Sequence, residues 1–330
     1  MVTCRVDASL ERVKVGDFSF PLGSYPVEAM EPRPGYSVTF EPADGDAEGE
    51  WEEWPDRYVF DIVISSERLE SLVRHLLTLM PGRVYPILDV LGRDAYREID
   101  PYVSYELIGL DRFTDMVRKF PAFFFEDGLV GFGAMSDEPF MYVFIDEHKI
   151  VTLRCQIEQR EAVEGILAAF DLEEMEEPAG ADAALHEHRS VLASPEDEAN
   201  VLNFEEIIED LRDEWRLMLN VDPESNLDDQ GNELGIVPWR LLARAEYTEE
   251  PLVRYVEVLL RASCLAEAEE LCREAADALF DREGRIPEVA SIVELDRLSA
   301  EDFAEMVKAS GEGSAGADDG VGVVSSRWAG

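Results

Sequence analysis

The chain reads as an α+β protein, an antiparallel β-meander sheet with covering helices joined to a second, smaller α+β domain. Three observations predict this. Residues 120–157, FPAFFFEDGLVGFGAMSDEPFMYVFIDEHKIVTLRCQI, hold four short aromatic and β-branched runs parted by turn residues. The segments on either side alternate between a two-residue and a 3.6-residue apolar period. A length of 330 residues exceeds one average domain, and roughly two of ~100–150 residues fit it.

Residues 1–57 form a poorly defined N-terminal arm. Pro26, Pro32, Pro34 and Pro42 interrupt it, and an acidic loop ends in Trp51 and Trp54, read as docking the arm onto the adjoining domain. The first domain is placed at 58–172. YVFDIVIS from Tyr58 is a strand, and Ser66 is read as the cap of a helix with Leu69, Leu72, Val73, Leu76, Leu77 and Met80 on one face. Pro81-Gly82 stops that helix, and strands come next at 83–92 and 102–109. Asp111 opens a helix with Phe113, Met116, Val117 and Phe120 along one side, and Ala122–Glu126 is read as the next strand. The resulting order β-α-β-β-α-β is that of a ferredoxin-like core, extended here by the rest of the meander. A helix over 159–171 completes the domain.

Within the meander, Asp127-Gly128 fits a two-residue type I′ turn that pairs Phe125 with Val130 and Phe124 with Gly131. Phe124 then faces Gly131 and Gly133 across a glycine-floored strip. That strip is a candidate ligand surface, with internal packing as the expected occupant.

Residues 173–200 lose periodicity and gain Ala, Pro, Gly and acid, the profile of an acidic linker. The second domain is placed at 201–310. Asn203 and Glu206 make a capping box for a helix carrying Phe204, Ile207, Ile208, Leu211 and Trp215. The alternating runs 215–221 and 237–247 predict an antiparallel pair. A helical hairpin comes after it, with Leu252, Tyr255, Val256 and Leu259 marking its first helix and Leu265 to Leu279 its second. Residues 288–298 are a further strand, Ser299 with Asp302 caps a last helix, and the Gly-rich end, 311–330, is expected to be disordered.

Charge dominates the composition, with 29 Lys and Arg against 73 Asp and Glu, a formal net charge of −44. Such a surface repels phosphate backbones and argues against direct nucleic-acid binding. No apolar run approaches the ~18–20 residues of a membrane span, and the N-terminus has no secretory h-region. Cys4, Cys155, Cys264 and Cys272 lack CxxC spacing, as expected of reduced thiols in the cytoplasm.

No Walker, dinucleotide, nucleophile-elbow or HExxH motif is present. The loop 222–235 places Asp222, Asn226, Asp228, Asp229 and Glu233 together as a candidate divalent-cation site, although Val237 stands where an EF-hand needs its bidentate Glu. A second carboxylate group, Asp89, Asp94, Glu98 and Asp100 with Arg97, suits ion pairing or metal-assisted hydrolysis. Of the four histidines, His75 reads as solvent-facing and His148 as a turn residue, while His186 and His188 form a His-x-His without a third ligand at clear spacing. The expected function is non-enzymatic: an acidic interaction protein for a protein partner, basic if the charge is the contact, with no resident cofactor beyond a divalent cation. Two alternatives stand beside it, a divalent-metal-dependent hydrolase using the Asp/Glu clusters and a nucleic-acid-mimicking inhibitor of a basic protein.

Overall fold

A computed structural model describes residues 3–43, 54–193, 201–247, 252–283, 289–310 and 320–329. It confirms the mixed α+β class and divides the chain into two compact units, 1–90 with 101–220, and 91–100 with 221–330.

In the first unit the N-terminal arm supplies β1 (Lys14–Val15), β2 (Phe18–Ser19), β3 (Ser24–Pro26) and β4 (Gly35–Glu41). Then come β5 (Arg57–Val63), α1 (Ser66–Leu77), β6 (Arg83–Leu91), β7 (Ile99–Val103), β8 (Ile108–Gly109), α2 (Leu110–Lys119) and α3 (Pro121–Phe125). The meander is β9 (Val130–Asp137), β10 (Phe140–Ile145) and β11 (Val151–Gln156), succeeded by α4 (Arg160–Ala169), β12 (His186–His188), α5 (Phe204–Trp215) and β13 (Met218–Leu219).

The main sheet runs β13-β7-β6-β9-β10-β11-β5-β4, with β8 beside β6. Its registers align Leu88, Phe132, Ile145, Val151 and Ile62 in one row across the sheet. All five are buried, in one cluster with Leu69, Leu72 and Leu76 of α1 and Val163 and Leu167 of α4. The α1 periodicity read from the sequence is therefore the core-facing stripe of an amphipathic helix.

The second unit is a sheet of order β16-β14-β15-β17, from β14 (Val237–Tyr247), β15 (Leu252–Ala262), β16 (Val289–Arg297) and β17 (Gly322–Ala329), with α6 (Leu265–Glu283) and α7 (Ala300–Ala309). Ser299 caps α7 by accepting from Asp302 N at 3.1 Å.

Several expectations are corrected. Residues 121–125 are helical: Pro121 occupies the first turn, where its missing N–H costs nothing, and Glu126 N donates to Ala122 O. The strand read at 122–126 is thus absent, β9 being the next strand after α2 and α3, and Phe125 and Phe124 do not pair with Val130 and Gly131. The expected helical hairpin is a strand followed by one helix. Leu252, Tyr255, Val256 and Leu259 fit a helical period, but Val256, Val258, Leu260 and Ala262 also alternate, and those four are buried opposite Ala243, Leu241, Trp239 and Val237. Residues 215–221 give only β13, because Arg216 turns left-handed at φ 56° and ends α5; β13 pairs with β7, not with 237–247. Of the tail expected to be disordered, residues 322–329 form β17 on β15, its Trp328 ring 5.7 Å from Phe280 and beneath the Arg254 guanidinium. Residues 311–319 lie outside the described residues.

The segments read as arm and linker also find tertiary partners. Strand β12 pairs with β3, and Val191 is fully buried. Helix α5 keeps its predicted capping box but packs Ile207, Leu211 and Trp215 into the first unit's core. Trp54 meets Phe140 edge-on at 5.2 Å, while Trp51 lies outside the described residues.

Candidate metal centre

The turn between β10 and β11 brings in the first functional side chain. Asp146 N donates to Ile150 O and Lys149 N donates to Asp146 O, while Asp146 Oδ1 accepts from Ile150 N. Lys149 takes the left-handed position, φ 67°, which commonly closes such a hairpin. Its side chain turns inward, where Nζ donates to Val130 O, and burial lowers its pKa to about 8 against the pull of Asp127, Asp146 and Glu147. His148 is left half-buried at the turn.

The other two histidines come from β12. Opposite residues of an antiparallel ladder share a face. With Ser24 opposite His188 and Pro26 opposite His186, these four point one way, and Tyr25 and Glu187 point the other, joined by a 2.8 Å hydrogen bond. A backbone junction fixes β12 in place. Gly23 N donates to Glu126 O, Arg189 N to Gly23 O, and Gly128 N to Arg189 O, at 2.7, 2.8 and 3.1 Å. A Cβ on Gly128 would sit 1.9 Å from Gly23 O, and one on Gly23 2.1 Å from Gly128 N, so neither position admits a side chain. Asp127, fully buried, accepts from Val191 N and Ser190 Oγ, both at 2.8 Å. Asp127-Gly128, read in the sequence as a hairpin turn, is thus the anchor of the returning chain.

The result is a triangle of imidazoles. Centroid separations are 4.7, 4.7 and 5.0 Å with interplanar angles of 75°, 76° and 82°. One ligand-capable nitrogen from each of His148, His186 and His188 lies within 4.8 Å of the other two. Two outer nitrogens are hydrogen-bonded to carbonyls, His186 Nδ1 to Ala184 O at 2.7 Å and His188 Nδ1 to Gly128 O at 2.8 Å, while His148 Nδ1 lies in ion-pair reach of Glu147 Oε1 and Asp146 Oδ2 at 3.3 and 3.5 Å. An oxygen acceptor selects the Nδ1–H tautomer and leaves Nε2 as a lone pair. With Nδ1 so engaged the Nε2 atoms face inward, and His148 Nε2 stands 3.0 Å from His186 Nε2. Two imidazole nitrogens at that distance need a proton or a metal ion between them. A proton on one ring relieves one contact, whereas a metal ion satisfies all three.

Electrostatics act unequally on the rings. Burial lowers the His148 pKa, but the Asp146 hydrogen bond and the charges of Asp146, Glu147 and Asp182 outweigh it, and the net shift is upward. At His188 burial prevails over the Gly128 contact, aided by the neighbouring rings, and the shift is downward. Around a metal this is the familiar outer layer, in which carboxylates and backbone carbonyls orient ligating imidazoles and raise their basicity.

The residues singled out from the sequence lie elsewhere. In the loop 222–235, Asp228 accepts from Gln230 N, Asn232 N and Asn232 Nδ2, and Asp229 accepts from Glu98 N. Asn226 is buried, donating to Gly235 O and accepting from Arg297. Among the described residues the acids Asp222, Asp228, Asp229 and Glu233 do not gather into a three-ligand group. Asp94 pairs with Arg297 and Asp100 with Arg97, the ion-pairing role. Over Gly131 and Gly133 lies the Phe144 ring, 2.9 Å from a Cβ built at either glycine, so the strip is filled from within. Phe124 is fully buried on the core side, against Phe132 at 4.6 Å and Trp215 at 5.5 Å. Cys155 and Cys272 are buried, and burial pushes both thiols up to about 12. His75 is exposed, as expected. His-x-His was visible in the sequence, but its third member is 38 residues away and only the fold brings it near. No helix among the described residues is long and apolar enough to cross a membrane. Compared with known proteins, the chain matches no family model, no curated protein and no solved structure.

Proposed function

We propose that this chain is a metal-binding protein that holds one divalent transition ion of the zinc class between His148, His186 and His188. The carrying observation is the convergence of three imidazoles, two of whose inner nitrogens approach to 3.0 Å while their outer nitrogens face oxygen. Zinc–nitrogen bonds of about 2.0–2.1 Å in a tetrahedral site put neighbouring nitrogens about 3.3 Å apart, a small adjustment for this pair. Three neutral imidazoles favour zinc, copper, nickel or ferrous iron over calcium and magnesium, which want oxygen ligands. The surrounding negative charge supports cation uptake by raising the local cation concentration. The divalent-cation reading thereby moves from the loop 222–235 to the histidines.

Isothermal titration of the metal-stripped protein with zinc and with calcium tests this. The expected result is one zinc per chain, abolished in the His186→Ala/His188→Ala double variant, and no heat from calcium. Equal zinc binding by the double variant would refute the assignment.

A further inference from the structure

Three imidazoles do not complete a four-coordinate site, and among the described residues no further His, Cys, Asp or Glu joins all three in one group, Asp146 and Glu147 grouping with His148 alone. The carboxylates of Asp146 and Glu147 sit against Nδ1 of His148, on the side turned away from the other rings. Ser24 is directly opposite His188 in the β3–β12 ladder and shares its face. It is fully buried, and its hydroxyl has no hydrogen-bond partner among the described residues. A buried hydroxyl left unpaired is costly, and most such groups in folded proteins are paired to protein or to ordered solvent. The histidine group itself borders solvent, with the side chains of His148 and Glu147 15% and 20% exposed.

On the reading that the histidines hold a metal ion, we infer that its fourth position is exchangeable and carries a small solvent-derived oxygen ligand, water or hydroxide, hydrogen-bonded to Ser24 Oγ. A hydroxyl can both donate to and accept from such a ligand. The position is therefore open to displacement by a small monodentate anion, as in metal centres that bind or activate a ligand and unlike closed structural sites. Ser24 is a positioning residue here: it holds the external ligand and leaves the ion to the histidines.

Cobalt(II) is the probe, because its visible bands report coordination number and ligand exchange. The cobalt-loaded full chain, titrated with azide, is expected to change its spectrum saturably. The Ser24→Ala variant is expected to take up cobalt within about threefold of wild type but to bind azide about tenfold more weakly, the loss of one hydrogen bond. Cobalt bands that appear but do not respond to azide in the wild-type protein would overturn the exchangeable position and leave the metal site standing. Equal azide affinity in Ser24→Ala would remove Ser24 from the proposal. Failure to form the cobalt bands would remove the metal reading itself.

Discussion

His148 and His186 hold their Nε2 atoms 3.0 Å apart while each turns its Nδ1 to an oxygen, the one to the carboxylates of its own turn and the other to Ala184 O. The pair comes from two elements that touch only because β12 returns to β3. On the proposed metal-binding reading, its inward nitrogens are contested by proton and metal ion.

That competition sets a pH dependence. The raised pKa of His148 means that protons occupy it at a higher pH than an ordinary imidazole, so zinc affinity is expected to fall as pH drops through and below neutrality. Glu147→Gln removes one of the charges that raise His148, so it moves the onset of this loss to lower pH. At pH 8, where proton competition is weak, the same variant binds zinc about tenfold more weakly through lost orientation of the ring. Competition against a chromophoric chelator between pH 5 and 8 measures both effects. A variant onset at higher pH than wild type would contradict the assigned role of Glu147.

Asp89 offers a stability test. Burial, and then the charge of Glu147, raise its pKa to about 6 in the folded protein. A carboxyl raised in the folded state favours folding while both states are protonated, below about pH 4, and that advantage is lost as pH rises through about 6. Asp89→Asn is therefore expected to gain about 1–2 kcal/mol on wild type between pH 4 and pH 8, a value reduced for partial solvent screening. Urea unfolding at the two pH values measures the difference, and a constant offset would count against it.

The Gly23–Gly128 junction should not tolerate a methyl group. Gly128→Ala drives a Cβ to 1.9 Å from Gly23 O. A loss of about 3 kcal/mol is expected, at the upper end of overpacking costs, because backbone on both sides must move. Zinc affinity should fall with it, since Gly128 O accepts from His188 Nδ1. Thermal melts and chelator competition on the same preparation check the two outcomes together.

In the second unit, Arg297 and Asp94 form a buried ion pair at 2.8 Å, with side-chain exposures of 3% and 0%. Arg297 also donates to Asn226 Oδ1 and Leu227 O. Removing one partner strands the other, and Arg297→Met is expected to cost about 3–5 kcal/mol. The double variant Asp94→Asn/Arg297→Met should cost less than the sum of the two singles. A double-mutant cycle by urea denaturation gives that coupling directly, and strict additivity would sink the pairing argument.

By itself, the sequence determined those features whose cause is local. The α1 stripe, the Asn203–Glu206 capping box, the Ser299 cap and the strands at 58, 140, 151 and 237 arise from side-chain period and capping chemistry within a few residues. The α+β class came with them. Tertiary structure decided the rest, wherever two local readings competed or the partners were distant. Phe123, Phe124 and Phe125 suit a strand as well as a helix, and burial on all sides with Pro121 at the start selects the helix. Residues 252–262 carry both periods, and strand partners on two sides select the extended form. His-x-His lacked a third ligand because nothing local couples His148 to His186. The junction of Gly23, Gly128 and Arg189 makes that coupling. It works through close backbone approach, a relation between distant segments that composition and periodicity do not encode.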